Sequence, residues 1–580
     1  MDQTFFSKRI APLMSIPNRW TDCAWTLALL LAAVLLFCAN LGELPLRDWD
    51  EGIAAQVARD IWRSQNGVTN DLPNGNLTWL YPTIAGATYF NKPPLVHWLM
   101  ALSYQVGGVN ELTSRLPGAL LTAFSVPLLY QIGRELWPNR IPAILAALVY
   151  LTLLPVLRHG RLAMLDGAVL CFFLLMLLSV LRTRRDLRWS LGLGLALGLV
   201  ALTKGAISGV VGLIVLAFVW MDTPRLLTSG TVWTGILIGI LPALAWYSAQ
   251  WLHYGQAFFT VNLMEQAVSR LLTPVEQNRG APWYYLLEIL KYGWPWLLFV
   301  PAGCRLAWEN RNWSWGKLVL VWTGGYLLII ATMNTKLPRY VLPVYPALAL
   351  IVGAELATLW DATDIWGGLR NSKSAYPKLW PIGLSILAIA GWVGVGWFSV
   401  LGPQPRAGLP LIFLAVALTM TVATVLVVRR NSQFIAILGW GMAVSLLLLV
   451  LSPYWIWELG EDYPVKPVAN LLRTYTPPHR TVFTSHPFNR PSLNFYSDRV
   501  VRPAAPEALK QIWKQPTSPY LLIRQNALEQ LKLPKVKQLG RSGDWLLITR
   551  QPKTKTMDTP KNEKSVTGEY HMPAVICDLL

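Results

Sequence analysis

Residues 166–188, DGAVLCFFLLMLLSVLRTRRDLR, join a run of apolar residues to a cluster of four arginines. The apolar part has the composition of a membrane-crossing helix, and basic clusters of this kind stay on the cytoplasmic side of a membrane. Similar apolar runs recur along the chain between short charged loops. The pattern predicts a polytopic α-helical membrane protein that is oriented by the arginines of its loops.

The composition of the chain points to the same class. The 580 residues are 53% hydrophobic and 14% charged, whereas about 25% of the residues of a soluble protein are charged. A mean hydropathy of +0.39 excludes a soluble globular enzyme, a disordered chain and a fibrous protein. The net charge is +19. In a membrane chain such an excess sets topology, so no nucleic-acid partner is expected.

The apolar runs predict about thirteen membrane-spanning helices, with the N-terminus in the cytoplasm and the C-terminus outside. They lie near 24–41, 116–133, 141–157, 167–181, 189–203, 206–221, 230–251, 285–304, 317–333, 340–360, 380–400, 409–428 and 434–452. Residues 95–108 are too few for a span and are interpreted as an interfacial helix, as is the amphipathic stretch 51–64. Counting 95–108 as a span would place the arginine cluster outside. Gly192, Gly194 and Gly198 predict close helix packing.

The chain is predicted to contain two folded domains. Residues 1–459 form the membrane domain, with large outer loops at 42–94 and 252–284. Residues 460–551 are richer in prolines and charges and form a small soluble α/β domain on the non-cytoplasmic face, with short strand-like runs such as 520–523 and 545–548. The polar stretch 552–580 is predicted to be disordered.

The predicted topology gathers ionisable residues of several loops at the outer face. Carboxylates there could orient or deprotonate an acceptor nucleophile, and cations could hold a phosphate and stabilise a leaving group. The candidates are the acids Asp50, Glu51 and Asp166, the cations Lys92, Lys204, Lys336 and Arg339, and the tyrosines Tyr89 and Tyr340. An amphiphilic phosphate with a lipid tail would suit such a site. The alternative is that each basic residue only reaches the lipid headgroups.

Six motifs, in order across about 43–346, are similar to those of one enzyme family. They are Asp50-Glu51, FNKPPL with HWL (90–95 and 97–99), NELTSRLP (110–117), RLAMLD (161–166), LTKG (202–205) and KLPRYVLP (336–343). The set resembles the GT-C glycosyltransferases of the protein O-mannosyltransferase and lipid A aminoarabinose transferase branch. The trailing soluble domain also agrees with that branch.

The resemblance implies a multi-pass plasma (inner) membrane enzyme that moves a sugar from a polyprenyl monophosphate carrier. The acceptor would be a lipid, an envelope glycan or a protein on the non-cytoplasmic face, and a single displacement would invert the anomeric centre. By position, Asp50, Lys92, Asp166, Lys204 and Lys336 take the family's functional places. For a hydroxyl acceptor Asp50 is the expected general base, with Asp166 positioning it. For a phosphate acceptor no base is needed, and the carboxylates would orient instead.

The resemblance implies no obligatory cofactor beyond the lipid-linked sugar. No metal is expected, although the acids Asp48, Asp50 and Glu51 keep a divalent ion open. The chain departs from the family at Ile53-Ala54, where Arg-Tyr is common, at Asn91, where Glu is common, and in the insert-like stretch 67–81. These departures leave the acceptor open.

Three other interpretations stay open at this point. A lipid or sugar transporter would show inverted repeats and midplane charges. A catalytically inactive scaffold would not need intact acids and lysines. Within the enzymes, protein O-mannosyl transfer competes with transfer to a lipid or glycan.

Overall fold

The chain folds as a largely helical protein. The computed structural model describes residues 19–48, 50–67, 75–269, 279–361, 376–402, 408–456, 464–478, 480–515 and 517–551. Within these ranges nine helices are long and apolar enough to cross a membrane, and one further pair, bent by 58°, would make ten. This confirms the predicted polytopic helical class, whereas the count of thirteen spans stays a prediction.

The first four helices are α1 (Arg19–Cys38), α2 (Asp50–Gln65), α3 (Leu95–Gly107) and α4 (Glu111–Leu136). Next come the bent pair, α5 (Arg140–Leu151) and α6 (Leu154–Arg161), and then α7 (Asp166–Thr183). They are followed by α8 (Trp189–Thr203), α9 (Gly205–Asp222), α10 (Gly230–Tyr254) and α11 (Gln256–Phe259), which leads into a π-helix, Thr260–Val268. The remaining helices of this region are α12 (Tyr284–Tyr292), α13 (Val300–Glu309), α14 (Ser314–Thr332), α15 (Tyr345–Asp361), α16 (Leu379–Gly396), α17 (Leu409–Val428) and α18 (Phe434–Val450). Short 3₁₀ turns lie at Gly75–Trp79, Pro224–Leu226, Trp296–Phe299 and Pro338–Val344, a second π-helical turn lies at Trp397–Leu401, and a small hairpin pairs β1 (Thr83–Ile84) with β2 (Ala87–Thr88).

Helix α7, which begins the arginine-tipped stretch 166–188, lies at the centre of the bundle. Nearly all of its side chains are buried, and it packs against α4 and α8. Its Phe173 ring meets the Trp322 ring of α14 edge to face at 5.0 Å, and the Trp322 indole N–H donates to the carbonyl of Pro343 at 2.7 Å. The apolar run therefore builds the core, and its N-terminal Asp166 is held by that packing.

The helices outside the long spans differ in part from expectation. The predicted helix 285–304 is interrupted: α12 ends at Tyr292, a 3₁₀ turn follows, and α13 begins at Val300. Pro295 and Pro301 lack the N–H that a continuous helix needs. Helix α3 has the expected extent, and α2 covers the amphipathic stretch but is buried on several faces. Helix α2 therefore packs into the protein rather than only lying along it.

The chain divides into two compact units. The first comprises residues up to Arg480 together with Asn489–Val501, and it includes α19 (Val465–Tyr475) and α20 (Pro491–Ser497). The second comprises Thr481–Phe488 and the chain from Arg502 onward. The soluble domain 460–551 stays a prediction. The second unit is smaller than that predicted domain, because residues 464–478, 480 and 489–501 cluster with the helical unit. The predicted disordered tail 552–580 lies outside the described residues.

The second unit is built on a five-stranded sheet of order β4-β3-β5-β7-β6. Its strands are β3 (Val482–Thr484), β4 (Val501–Pro503), β5 (Tyr520–Arg524), β6 (Val536–Ser542) and β7 (Trp545–Arg550), and its helices are α21 (Pro506–Lys514) and α22 (Gln525–Leu531). Strand β5 pairs parallel to β3 and antiparallel to β7. Leu509 and Trp513 of α21 pack on Leu521 and Ile548 of the sheet. The sequence correctly predicted strands at 520–523 and 545–548.

Helices α8 and α10 approach each other closely at glycines. A Cβ atom on Gly194 would lie 2.4 Å from the Ile236 carbonyl oxygen, and one on Gly239 would lie 2.3 Å from the Leu195 amide nitrogen. These contacts explain the close helix packing predicted at Gly194, because the facing atoms belong to the backbone and cannot move aside as a flexible side chain could.

We therefore expect Gly194→Leu to lower the free energy of unfolding by about 1–3 kcal/mol or more, because the added side chain forces the two helices apart. The measurement is thermal unfolding of the purified protein in detergent. Gly209→Leu on α9 is the matched control, since a Cβ there meets nothing within 4 Å. Equal loss of stability in both variants would contradict the packing argument.

Candidate active site

A buried ion pair anchors the start of α2. Both oxygens of Glu51 accept from Arg115 of α4: Nε donates to Oε1 at 2.8 Å and Nη2 to Oε2 at 2.9 Å. Glu51 also accepts from the amides of Ala163 at 2.8 Å and Arg47 at 3.1 Å. The side chains are 1% and 0% exposed. Although burial opposes ionisation, the guanidinium and these amides hold the pKa of Glu51 below its usual value.

The remaining donors of Arg115 close the end of the preceding loop. Its Nη1 donates to the carbonyls of Leu41 at 2.8 Å and Leu44 at 2.6 Å, and its Nη2 donates to Pro45 at 3.0 Å. With the two bonds to Glu51, all five N–H groups of the guanidinium are used. Arg115 thus fixes the backbone just before Asp48 and, through Glu51, the start of α2. Glu51 is buried and has no exposed oxygen with which to contact a substrate.

Asp50, the neighbour of Glu51, has a different environment. Its carboxylate pairs with the Arg339 guanidinium and is 40% exposed, whereas Arg339 is 21% exposed. The pair joins the first helix turn of α2 to the 3₁₀ turn before α15. Asp50 is therefore held in place by a cation and is still accessible to a ligand.

A second ion pair lies beside the first. Lys204, between α8 and α9, donates from Nζ to Asp166 Oδ1 at 2.8 Å, and the Arg339 charge also acts on Asp166. The Lys204 ammonium lies 5.9 Å from the centre of the Tyr340 ring. Asp50, Asp166, Lys204, Arg339 and Tyr340 therefore come together as one cluster, which we call the charged cluster.

Lys336 is predicted to hold phosphate but contacts protein groups in the structure. It is buried, and its Nζ donates to the carbonyls of Ile330 at 3.1 Å and Ala331 at 2.8 Å at the end of α14. The ammonium also lies 5.2 Å from the Tyr285 ring centre. Burial lowers the pKa of Lys336. In this arrangement Lys336 caps a helix and supports the segment that carries Arg339.

Lys92 and Tyr89 lie on the loop before α3. Lys92 donates from Nζ to Gln266 Oε1 of the π-helix at 2.8 Å, and Tyr89 packs edge to face on the His97 ring at 5.8 Å. The same π-helix carries Asn262, whose side-chain oxygen would lie 3.9 Å from a Cβ on Gly205, the residue after Lys204. Lys92 therefore lies one element away from the charged cluster.

The three neighbouring acids do not form a metal site in the structure. Asp48 pairs with Arg490, Asp50 with Arg339, and Glu51 with Arg115. Among the residues that the structure describes, no group of three His, Cys, Asp or Glu side chains could hold a metal ion. A divalent ion at these acids would have to displace an arginine, so this donor set does not fit one.

Two functional side chains were missed in the sequence. Arg115 lies inside the NELTSRLP motif, and an arginine in an apolar helix needs a buried partner, which was the available signal. Arg490 is separated from Asp48 by more than 400 residues, and nothing in the sequence connects the two.

Comparisons with known proteins agree with the fold and with the motif resemblance. Residues 91–248 match the model of the dolichyl-phosphate-mannose-protein mannosyltransferase family. The chain is 31% identical over 350 residues to an undecaprenyl phosphate-α-4-amino-4-deoxy-L-arabinose arabinosyl transferase of Pseudomonas fluorescens, covering 57% of this chain and 60% of that one. A transferase of the same name from Pectobacterium carotovorum is 28% identical, with 72% of this chain and 74% of that chain covered.

The structure is similar to the crystal structure of ArnT from Cupriavidus metallidurans bound to undecaprenyl phosphate. The TM-score is 0.71 at 17% sequence identity, covering 91% of this chain and 98% of that chain. At this identity the likeness shows a shared fold. This likeness confirms the predicted fold class. The sequence relatives confirm the motif resemblance. The chain spans about three fifths of the length of the first of these relatives.

Removing one partner of the buried pair should destabilise the protein. Glu51→Gln leaves the Arg115 charge buried without a counter-ion, so we expect a loss of roughly 3–5 kcal/mol in the free energy of unfolding. Because the pKa of Glu51 is lowered from 4.5 in the folded state, its contribution is present above that pH and is lost as the pH falls through the folded pKa. Unfolding in detergent at pH 7 and at decreasing pH tests both points.

The exposed Glu43→Gln is the control for this substitution. A stability of Glu51→Gln within about 1 kcal/mol of the Glu43→Gln variant, or an unchanged acid dependence, would contradict the anchoring role.

Proposed function

We propose that the chain is a membrane glycosyltransferase that moves a sugar from a polyprenyl monophosphate carrier to an acceptor on the non-cytoplasmic face. The observation that carries the proposal is the charged cluster, in which two carboxylates lie beside two cations at motif positions. The named activities of the sequence relatives and the shared fold support it. The alignments with these two relatives cover 60% and 74% of their lengths, so the activity of the whole chain is part of the proposal.

The charged cluster is electrically balanced, which matters for binding a donor. Asp50 pairs with Arg339 and Asp166 with Lys204, so the four charges sum to zero. A donor phosphate competes with both carboxylates for the cations, since charge-assisted bonds to phosphate are strong. When phosphate takes Arg339, the exposed Asp50 carboxylate is released toward the acceptor.

The phosphate is bound by Arg339 and Lys204, with Lys92 reaching in from the neighbouring loop and Tyr340 and Tyr89 lining the site. Lys336 would have to leave its two carbonyl partners to contact phosphate. We therefore assign Lys336 to supporting the Arg339 segment. The carrier phosphate leaves as an anion, so cations rather than a protonating acid assist its departure.

The reaction is a single displacement at the anomeric carbon. An acceptor oxygen forms the new bond to that carbon as the bond to the carrier phosphate oxygen breaks, and the electron pair leaves with the phosphate. For a hydroxyl acceptor the proton passes to Asp50, which acts as general base; for a phosphate acceptor Asp50 only orients the attacking group. Asp166 keeps Lys204 in place. Displacement from the opposite face inverts the anomeric centre.

The donor and acceptor classes follow from the relatives. They are named for undecaprenyl phosphate and 4-amino-4-deoxy-arabinose, so we propose undecaprenyl phosphate as the carrier and a pentose or hexose as the sugar. The proposed acceptor is lipid A or another envelope lipid. A protein acceptor is the second outcome that the assay must distinguish, because the family match is to protein mannosyltransferases. A transporter is not favoured, since these relatives are transferases.

The membrane orientation completes the proposal. The arginine cluster 182–188 lies on the cytoplasmic side by the positive-inside rule. Asp166, at the opposite end of α7, then faces outward. We therefore place the chain in the inner membrane with a cytoplasmic N-terminus, and the charged cluster and the domain 460–551 on the periplasmic side.

Substitutions in the charged cluster should separate chemistry from binding. We expect Asp50→Asn to lower kcat for sugar transfer by about a hundredfold or more, because the base is lost. The donor KM should fall, because the phosphate no longer competes with the Asp50 carboxylate for Arg339. Lys92→Ala should mainly raise the donor KM by about tenfold. The measurement is transfer of radiolabelled sugar from undecaprenyl phosphate to lipid A or to protein, in detergent or nanodiscs.

The exposed residues Asp186 and Lys378 provide matched controls, Asp186→Asn and Lys378→Ala. Transfer by Asp50→Asn and Asp166→Asn at the control rate would contradict the site. Label that crosses sealed vesicles without a new glycosidic bond would favour a transporter, and label on protein alone would move the acceptor from lipid to protein.

A further inference from the structure

The segment Asn489–Val501, which we call the clamp, packs on the described residues around Asp50, 46–48 and 50–52, which we call the acidic segment. The clamp belongs to the same compact unit as the charged cluster, although the chain on both sides of it belongs to the second unit. Its helix α20 contacts α2. None of the proposed chemistry uses these residues, so their arrangement needs another explanation.

Asp48 is the centre of the contact. Its carboxylate accepts from Arg490 Nε, from the Ser492 hydroxyl, and from the Ser492 amide at 3.1 Å. Asp48 and Arg490 are both buried, with 6% of each side chain exposed. A buried charge pair with these additional hydrogen bonds defines one geometry, because loosening any bond leaves a charge without a partner.

Two further contacts hold the backbone on either side of Asp48. The Leu46 amide donates to the Tyr496 hydroxyl at 2.7 Å, and that hydroxyl donates to Glu111 at 3.0 Å. On the other side, a Cβ on Gly52 would lie 2.7 Å from the Ser492 amide nitrogen. The clamp backbone therefore lies directly against the turn that contains Asp50.

The far end of the clamp is tied to α2 as well. Asp498 pairs with Arg63 and, at 2.7 Å, with Arg59, whose guanidinium also donates to the Phe495 carbonyl. The clamp thus contacts α2 more than two turns beyond Asp50, as well as the segment before it. Motion of Asp50 relative to the clamp would break contacts at both ends.

We propose that the clamp positions Asp50 for sugar transfer, with Arg490, Ser492 and Tyr496 as positioning residues that act through Asp48 and the Leu46 amide. This rests on the proposed function. Arg115 holds the acidic segment from the α4 side, and the clamp holds it from the other. The half-exposed Asp50 side chain can then exchange Arg339 for the acceptor while its backbone stays in place.

The test uses the full-length chain with Arg490→Gln, Arg490→Lys, Asp48→Asn and Tyr496→Phe. Displacement of Asp50 should lower kcat by about tenfold to a hundredfold while the donor KM changes by no more than about twofold, because the phosphate-binding cations are untouched. Arg490→Lys should recover part of the loss, since it keeps one donor to Asp48. The exposed residues Arg480 and Tyr475 provide matched controls, Arg480→Gln and Tyr475→Phe.

Hydrogen exchange provides a readout that needs no substrate. In Arg490→Gln the amides of residues 46–52 should exchange at least about tenfold faster, with α7 unchanged, because a local set of hydrogen bonds is lost. A control-like kcat in Arg490→Gln would overturn the proposal, as would a loss that follows only a global rise in exchange. If the wild type transfers no sugar, the proposed function fails. The clamp's role in transfer then fails with it, and faster exchange in Arg490→Gln would show only that the clamp holds this segment in place.

Discussion

The bidentate pair between Glu51 and Arg115 sets the geometry of everything around it. Taking two charges out of water costs several kcal/mol per ion, so such a pair persists only when its remaining donors and acceptors are satisfied. Here the guanidinium uses all five N–H groups, and the carboxylate also accepts from the Ala163 amide. Asp50 is the residue before Glu51, and Asp166 lies three residues after Ala163. One buried carboxylate therefore ties together the two chain segments that carry the acids of the charged cluster.

The three acids at 48, 50 and 51 show how neighbouring residues of one charge can have different tasks. Glu51 and Asp48 are buried with separate arginines and shape the backbone. Asp50 lies between them in sequence, shares neither arginine, and keeps two fifths of its side chain exposed. Each of the three acids pairs with a different arginine, so each negative charge has its own counter-ion. That separation is what leaves Asp50 available for chemistry.

The sequence predicted what depends on composition and local order. Apolar runs located the long helices. Motif positions selected four residues that pair in the structure, Asp50 with Arg339 and Asp166 with Lys204, but did not indicate which would pair. The interruption of 285–304 was missed because the run stays apolar throughout, although Pro295 and Pro301 were the available signal. Residue type also does not reveal that the end of α14 supplies two carbonyl acceptors to Lys336, whose predicted phosphate role stays a prediction. The Asp48–Arg490 pair joins distant parts of the chain and has no local signal.

These contacts also determine which part of the site can move during a reaction. The backbone of the acidic segment is fixed by Arg115 on one side and by Asp48 with the Leu46 amide on the other. The Asp50–Arg339 bond is the exposed member of the set, and breaking it leaves both fixed sides intact. A phosphate that takes Arg339 therefore changes a side-chain pairing without remodelling the loop. A preorganised site does not have to rearrange at the moment of reaction. The fixed positions of Asp48 and Glu51 therefore keep the backbone of Asp50 in place while its side chain changes partner.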